Sequence, residues 1–138
     1  MSAERVDLVK RGYEAWNTGD RSWVLEHMSP EVEWITPPED PERGHYRGYE
    51  GVQQFWEQWR AAVGQLRMDI EETIDAGDHV VAVVKRSGVG ESSGLAVSDR
   101  VVQVFTFDGE KCVKVQEFYD KTKALAAADA APIESDPG

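Results

Sequence analysis

The sequence predicts an α+β domain in which helices from the first half of the chain pack against one face of a curved antiparallel sheet from the second half. In the first half, apolar residues recur mostly at helical spacing. From Leu66 to Tyr119 they form strand-like runs, separated by turn pairs such as Gly77-Asp78 and Asp108-Gly109. Helices followed by consecutive strands are typical of the α+β class.

Three segments of the first half predict helices. Residues 3–17 carry one apolar stripe, and the helix ends there because Gly19 suits a left-handed C-cap and Asp20 the N-cap of the next helix. Residues 21–28 predict a second, short helix. Residues 49–63 predict a third helix with a broad aromatic stripe.

Strands are predicted on both sides of the third helix. Pro30 ends the second helix, residues 31–36 alternate as a short strand, and the proline-rich segment 37–46 predicts a loop. After the third helix an antiparallel meander is predicted, with strands at residues 66–76, 79–86, 95–107 and 111–119. An alanine-rich closing helix is expected at 121–131, which makes one domain of residues 1–131 and leaves a disordered polar tail at 132–138.

Charge and cysteine content exclude several classes of protein. The chain carries 26 acidic and 15 basic residues, a formal net charge of -11, which disfavours binding to nucleic acid or to an anionic membrane. Cys112 is the only cysteine, so no internal disulfide is expected. Without a secretory signal or a membrane-length apolar run, the expected location is the cytoplasm. The scattered histidines give no metal-binding spacing, and neither a metal nor a cofactor is expected.

The predicted strand at residues 95–107 is apolar on both faces, and this predicts a partner. Val101 and Phe105 lie on one face, while Val102 and Val104 lie on the other. The helices cover the inner face, so a second copy of the chain is expected to cover the outer face in a homodimer. Cys112 is assigned to that outer face, as a dimer contact rather than a nucleophile.

Glu117 is the residue of the last strand with the strongest indication of chemistry. Alternation places it on one face with Val113, Val115 and Tyr119, so if the valines point inward the carboxylate does too. Desolvation raises the pKa of a carboxyl group toward neutrality, where it can exchange protons. The alternative is a β-bulge after Val115 that turns Glu117 out to solvent.

Several short motifs resemble one known superfamily. The segments GYEAWNTGD at 12–20, SPEVEW at 29–34 and YRGYEGV at 46–52, with Asp108-Gly109 before a strand ending in Asp120, resemble the SnoaL-like branch of the nuclear transport factor 2 and ketosteroid isomerase superfamily. The resemblance covers about residues 3–126. It implies a cone-shaped, cystatin-like barrel whose sheet wraps around the N-terminal helices and leaves a deep, mostly apolar pocket. This fold serves isomerases, cyclases, dehydratases and proteins without catalysis.

The resemblance also indicates which positions carry chemistry. The base and the two oxyanion-hole residues of ketosteroid isomerases fall on Thr36, Gly12 and Gln103, so none is retained and steroid isomerisation by the usual mechanism is not expected. Polyketide cyclases commonly end their last strand with two aspartates three residues apart. The corresponding positions here are Glu117 and Asp120, which makes Glu117 the candidate catalytic acid or base.

The candidate substrate-binding residues are aromatic or polar side chains expected to face the pocket. The aromatic ones suggest a flat apolar ligand, and Tyr13 and Gln103 could hydrogen-bond its oxygens. Core packing, solvated ion pairs and simple exposure remain alternatives for individual members. The candidates are Tyr13, Trp16, Trp34, Thr36, His45, Phe55, Trp56, Trp59, Asp99, Gln103 and Tyr119.

The function predicted from these residues is acid/base chemistry without a cofactor, of polyketide cyclase, isomerase or dehydratase type, on a small apolar carbonyl or polycyclic compound. Glu117 would be the general acid or base. The alternative is a non-catalytic small-molecule-binding or accessory protein that uses the same pocket. A pure interaction module would instead have a pocket filled by its own side chains.

Overall fold

One six-stranded sheet with helices on both faces forms the part of the chain that the computed structural model describes, namely residues 2–38, 44–64, 66–90 and 94–128. This confirms the α+β class. In chain order the elements are α1 (Ser2–Asn17), α2 (Arg21–Glu26), β1 (Met28–Ile35), β2 (His45–Arg47), α3 (Gly48–Val63), β3 (Arg67–Ala76), β4 (His79–Val89), β5 (Ala96–Asp108), β6 (Lys111–Phe118) and α4 (Lys121–Ala127). The expected tail at 132–138 lies outside the described residues.

The sheet has the strand order β2-β1-β6-β5-β4-β3 and is curved but not closed. The predicted meander is confirmed, because β3, β4, β5 and β6 pair successively in antiparallel fashion. Its tight turns contain Gly77 and Gly109, with φ of 74° and 64°, a backbone conformation that glycine adopts without steric cost. Gly19 and Asp20 behave as predicted: Gly19 has φ 86°, and the Asp20 carboxylate accepts from the backbone N–H of Trp23 at 3.1 Å.

The edge of the sheet formed by β1 and β2 differs from the prediction. β1 pairs with β6 in parallel, so the sheet is mixed rather than wholly antiparallel. β2 lies in the segment predicted to be a loop and pairs with β1. Pro30 does not end a helix but lies within β1, where the pairing with β6 is irregular between Met28 and Glu33. A proline, which has no N–H to contribute to a ladder, is tolerated there because the pairing is irregular at that point.

The two faces of the sheet have separate apolar clusters. The inner face packs against α1 and α3 and includes Val84, Val101 and Val115. The outer face packs against α4 and includes Val102 and Val104, which are 4% and 2% exposed. The chain's own last helix therefore buries the apolar residues that the sequence assigned to a dimer contact. Every helix in the described residues is too short or too polar to span a bilayer.

Cys112 lies on the inner face, so its predicted outward orientation is wrong. The pairing of β5 with β6 shifts between Thr106 and Phe107: Thr106 faces Lys114, but Phe107 faces Cys112. This bulge leaves Val113 as an extra residue and reverses the alternation for everything before it. The alternative predicted from the sequence was a bulge after Val115; the observed bulge lies before Val115 and leaves Glu117 in phase with it.

Candidate functional site

A cavity lies between α1, α2 and the inner face of the sheet. Most of its wall is aliphatic or aromatic, and Leu8, Trp23, Val24 and His27, which are only half-buried, mark the side that meets solvent. The wall consists of Leu8, Val9, Gly12, Tyr13, Trp16, Trp23, Val24, His27, Met28, Trp34, Trp56, Met68, Gln103, Phe105, Phe107 and Cys112. Such a site favours an apolar ligand that a few polar groups orient.

The cavity is small in this conformation. The centres of water-sized molecules can occupy about 70 Å³, inside about 570 Å³ of space that is free of protein atoms and includes solvent at the mouth. Because one water needs roughly 10–15 Å³ on the first measure, the smaller figure corresponds to a few waters. Ligand pockets typically enclose roughly 300–1,000 Å³. A ligand of more than one ring therefore requires side chains of the wall to move.

Three buried polar side chains form a row that ends at the cavity. The Tyr13 hydroxyl donates to Oε1 of Gln103, and Nε2 of Gln103 donates to Oε2 of Glu117 at 2.7 Å. Gln103 and Glu117 meet because they are cross-strand partners on β5 and β6. They are 1% and 2% exposed. Tyr13 and Gln103 belong to the cavity wall, whereas Glu117 lies behind Gln103 and is not one of the wall residues.

Tyr13 is held as a neutral hydrogen-bond donor. Burial, followed by the charge of Glu117, raises the pKa of the Tyr13 hydroxyl well above its ordinary value. Phe105 meets the Tyr13 ring edge-on at 5.8 Å, which fixes its position. At neutral pH the group can therefore donate a proton or a hydrogen bond, but it cannot act as a base.

A buried cation, Arg86, stands on the same face of the sheet. Its guanidinium forms a two-point pair with Asp99, Nε to Oδ1 at 2.9 Å and Nη2 to Oδ2 at 2.7 Å, and lies 4.8 Å from the ring centre of Trp59. Burial lowers the pKa of Arg86, but the bond to Asp99 and the charge of Glu117 outweigh it, so the net shift is upward. Tyr119 adds a further hydrogen bond to Arg86. The interior thus contains a carboxylate and a cation that attract each other.

The structure places five of the predicted substrate-binding residues in the cavity wall. They are Tyr13, Trp16, Trp34, Trp56 and Gln103.

The other six lie outside the wall. Phe55 packs on Trp34 at 5.7 Å, and Thr36 accepts from the N–H of Gly44 at 2.6 Å. His45 is exposed, its Nε2 lies 2.6 Å from Oε1 of Glu33, and it is not one of the wall residues. Trp59 and Asp99 hold Arg86, as does Tyr119, which lies past the end of β6 and is exposed.

Two residues near the site were missed from the sequence. Arg86 alternates in phase with Val84, so the two-residue period that predicts an inward Glu117 predicts an inward Arg86 equally. His27 is not among the predicted site residues, but it lines the cavity mouth. The His27 ring stacks on the Trp23 ring with centres 3.8 Å apart, and Nδ1 of His27 lies 2.8 Å from the backbone oxygen of Trp23. That contact follows from the four-residue spacing of the two residues at the end of α2.

Asp120 does not join Glu117 at the cavity. It lies after the end of β6, is exposed, and caps α4 by accepting from the backbone N–H of Thr122 at 2.8 Å. Among the described residues, no group of three or more His, Cys, Asp and Glu side chains is arranged to hold a metal ion.

Comparison with known proteins agrees with this fold. The family model described as the SnoaL-like domain matches residues 9–115, a range that ends two residues before Glu117. An uncharacterised protein of Mycobacterium tuberculosis strain H37Rv is 27% identical over 115 residues, covering 83% of this chain and 87% of its own.

Solved structures extend the likeness to the whole domain. A protein from Jannaschia sp. CCS1, provisionally named a SnoaL-like polyketide cyclase, is 22% identical with a TM-score of 0.74, covering 94% of each chain. TerC, co-crystallised with polyporic acid, is 21% identical with a TM-score of 0.73, covering 91% of this chain and 98% of its own. At these identities the likeness shows a shared fold.

Proposed function

The chain belongs to the SnoaL-like domain family, and on that premise we propose that it is an enzyme that carries out acid/base chemistry on a small apolar carbonyl compound in its cavity. The reaction would be a cyclisation, isomerisation or dehydration and would need no cofactor. The observation that carries the proposal is the row Tyr13–Gln103–Glu117, which brings a buried carboxylate within one side chain of an apolar cavity.

Burying these three polar side chains lowers the free energy of unfolding relative to apolar side chains, so stability does not explain the row. Burying an ionisable carboxyl group with a phenol and an amide costs desolvation free energy that their mutual hydrogen bonds offset only in part. Apolar side chains of similar size at these positions would fill the interior without that cost. A buried polar row against a cavity is therefore better explained by a role toward a ligand.

The three residues would have different roles. Tyr13 and the Gln103 amide face the cavity. Gln103 would hold the Glu117 carboxylate in place before the ligand binds, and Tyr13, a neutral donor, would orient a polar group of the substrate once Gln103 no longer accepts its proton. Glu117 would exchange the proton, and for this the Gln103 side chain must turn away so that the carboxylate reaches the substrate. The aromatic wall would supply binding area and exclude water, which strengthens the electrostatic interactions of the site.

One observation favours a second function. Because Gln103 stands between Glu117 and the cavity, the same pocket could bind a ligand without any proton transfer. In that case the protein would be a non-catalytic binding or accessory protein. The row would then serve to fix the amide that recognises the ligand.

Binding and turnover of Glu117→Gln distinguish the two functions. A thermal-shift panel of small ketones and polycyclic carbonyl compounds, with polyporic acid included because of TerC, would identify ligands, since anything that binds only the native state raises its stability. We expect Glu117→Gln to bind the best ligand within a few-fold of wild type but to lose about 100-fold or more in turnover. Glu72→Gln is the matched control, because Glu72 is an exposed residue of β3, and it should change neither ligand binding nor turnover. Turnover of Glu117→Gln equal to wild type would establish the binding protein instead.

A further inference from the structure

Two tryptophan N–H groups in the cavity wall have no hydrogen-bond acceptor within the described part of the chain. They are Nε1 of Trp34 on β1 and Nε1 of Trp56 on α3. The two residues are 7% and 4% exposed, so bulk water does not satisfy them. A buried donor without a partner is rare in proteins and costs about 1–3 kcal/mol. Because phenylalanine would fill much of the same space without this cost, packing alone does not explain two indoles here.

A third tryptophan of the same wall shows the usual solution. Nε1 of Trp16 donates to the backbone oxygen of Leu66 at 2.7 Å, which ties α1 to the residue before β3. The fold thus supplies an acceptor where a wall tryptophan has a structural role. Trp34 and Trp56 line the same cavity but lack such an acceptor among the described residues.

The rings of Trp34 and Trp56 are neighbours in the cavity wall. The two rings are perpendicular, with centres 6.0 Å apart, and Trp16 packs against Trp56 at 5.2 Å. In a perpendicular pair at most one N–H can point at the other ring, so at least one donor is left over. Since an N–H···O bond spans about 2.9 Å, rings this close can place both donors on one oxygen.

We propose that the ligand of the cavity presents a carbonyl oxygen to Nε1 of Trp34 and Trp56. This inference rests on the proposed function and specifies its substrate class. An indole N–H can only donate, so its partner must be an acceptor, as in a ketone, a quinone or a lactone, and not a group that only donates. Two rigid donors on a carbonyl oxygen bind more strongly as negative charge develops there, which is what enolisation of a ketone requires.

The test compares 1-tetralone with tetralin, in which a methylene group replaces the carbonyl. We expect 1-tetralone to bind the wild-type protein at least about tenfold more tightly, equivalent to about 1.4 kcal/mol. In protein labelled with ¹⁵N at the indole nitrogens, the N–H resonances of Trp34 and Trp56 should both move downfield with the ketone and not with the hydrocarbon. Replacing both residues with phenylalanine should bring the preference close to onefold. Trp16→Phe is the matched control, because it removes an N–H that is already paired, and it should keep the preference for 1-tetralone.

The outcomes separate this inference from the function on which it rests. If 1-tetralone occupies the cavity no more tightly than tetralin and leaves both indole resonances in place, the carbonyl contact is wrong while a ligand-binding cavity stands. If Trp16→Phe abolishes the preference as fully as the double variant, shape and not the N–H groups selects the ketone, and the inference also fails. If neither compound perturbs the indole resonances of Trp16, Trp34 and Trp56, the cavity does not take a bicyclic ligand and this inference fails, while the proposed function is decided by the panel that includes smaller ketones.

Discussion

Arg86 balances the charge of the interior at the level of single residues. Its side chain is 3% exposed, while that of its partner Asp99 is 48% exposed. The guanidinium is therefore the buried member of the pair, and it also attracts the fully buried Glu117. Removing such a cation takes a favourable charge away from a carboxylate in the interior, which costs far more than losing a surface ion pair.

We predict that Arg86→Met lowers the free energy of unfolding by about 3–5 kcal/mol, as expected when the buried carboxylate Glu117 loses a nearby opposite charge. Arg100→Met is the matched control: Arg100 is on the next strand and also makes a two-point pair, with Glu71, but its side chain is 66% exposed. That control should lose less than about 1 kcal/mol. Urea unfolding of the two variants measures both values, and equal losses would show that Arg86 is not a buried charge partner.

What the sequence could predict at this scale depends on whether alternation holds. Glu117, Gln103 and Arg86 all follow the two-residue period of their strands, so their shared face is readable from the sequence. The face on which Cys112 lies cannot be read from the sequence in this way. The bulge at Val113 depends on how β5 and β6 pair, and no residue pattern within β6 indicates it. The unpaired indoles of the wall also depend on which acceptors the tertiary structure brings near.

At the level of elements, the end of α1 holds the edge strand of the sheet. Asn17 donates from Nδ2 to the backbone oxygen of Met68 at 2.7 Å and accepts from its N–H at 2.8 Å. These two bonds replace the ladder partners that β3 lacks on its outer side. Because Met68 lines the cavity, they also fix one wall of the site.

We predict that Asn17→Ala lowers the free energy of unfolding by about 2 kcal/mol, because it leaves a backbone donor and an acceptor of Met68 without partners. Thr18→Ala is the control, since exposed Thr18 bonds only carbonyls of its own helix, at 3.1 Å, and should cost less than about 0.5 kcal/mol. Denaturant titration provides the comparison. A control that loses as much as Asn17→Ala would mean that the end of the helix, not the strand edge, is being stabilised.

Elements that depend on local spacing were predictable, and those that depend on distant pairing were not. The periods of the helices, and turn glycines such as Gly77 and Gly109, are local features, and they gave α1, α3 and the meander. β2 has only three residues, and it is a strand because β1 lies beside it. The parallel contact of β1 with β6 joins segments from opposite ends of the domain, which no short-range pattern specifies.

At the scale of the whole molecule, the predicted homodimer remains a prediction. α4 already buries the apolar centre of the outer face, so a second copy would have to use the surface around it, where Val83, Lys114 and Gln116 are half-buried. Sedimentation at micromolar concentration measures the assembly. A dimer is the expected result, and a monomer would contradict it.

The alkaline stability of the domain should depend on Cys112. Burial raises the pKa of its thiol from 9.0 to about 12, so between these values the unfolded chain loses a proton that the native state keeps. The free energy of unfolding therefore falls as pH rises above 9, by up to about 1.4 kcal/mol per pH unit, and Tyr13 adds to the fall above its ordinary pKa of 10.0. In Cys112→Ala the fall should begin only near pH 10. Identical slopes for the variant and the wild type, from urea unfolding between pH 8 and 11, would contradict this.

A crystal structure with the carbonyl compound that gives the largest thermal shift tests most directly whether this is a ligand site with acid/base chemistry. We predict the ligand inside the cavity between α1 and the sheet, its carbonyl oxygen at the indole N–H groups of Trp34 and Trp56, and the Gln103 side chain turned so that Glu117 reaches the ligand. A ligand bound elsewhere, with the Tyr13–Gln103–Glu117 row unchanged, would contradict it.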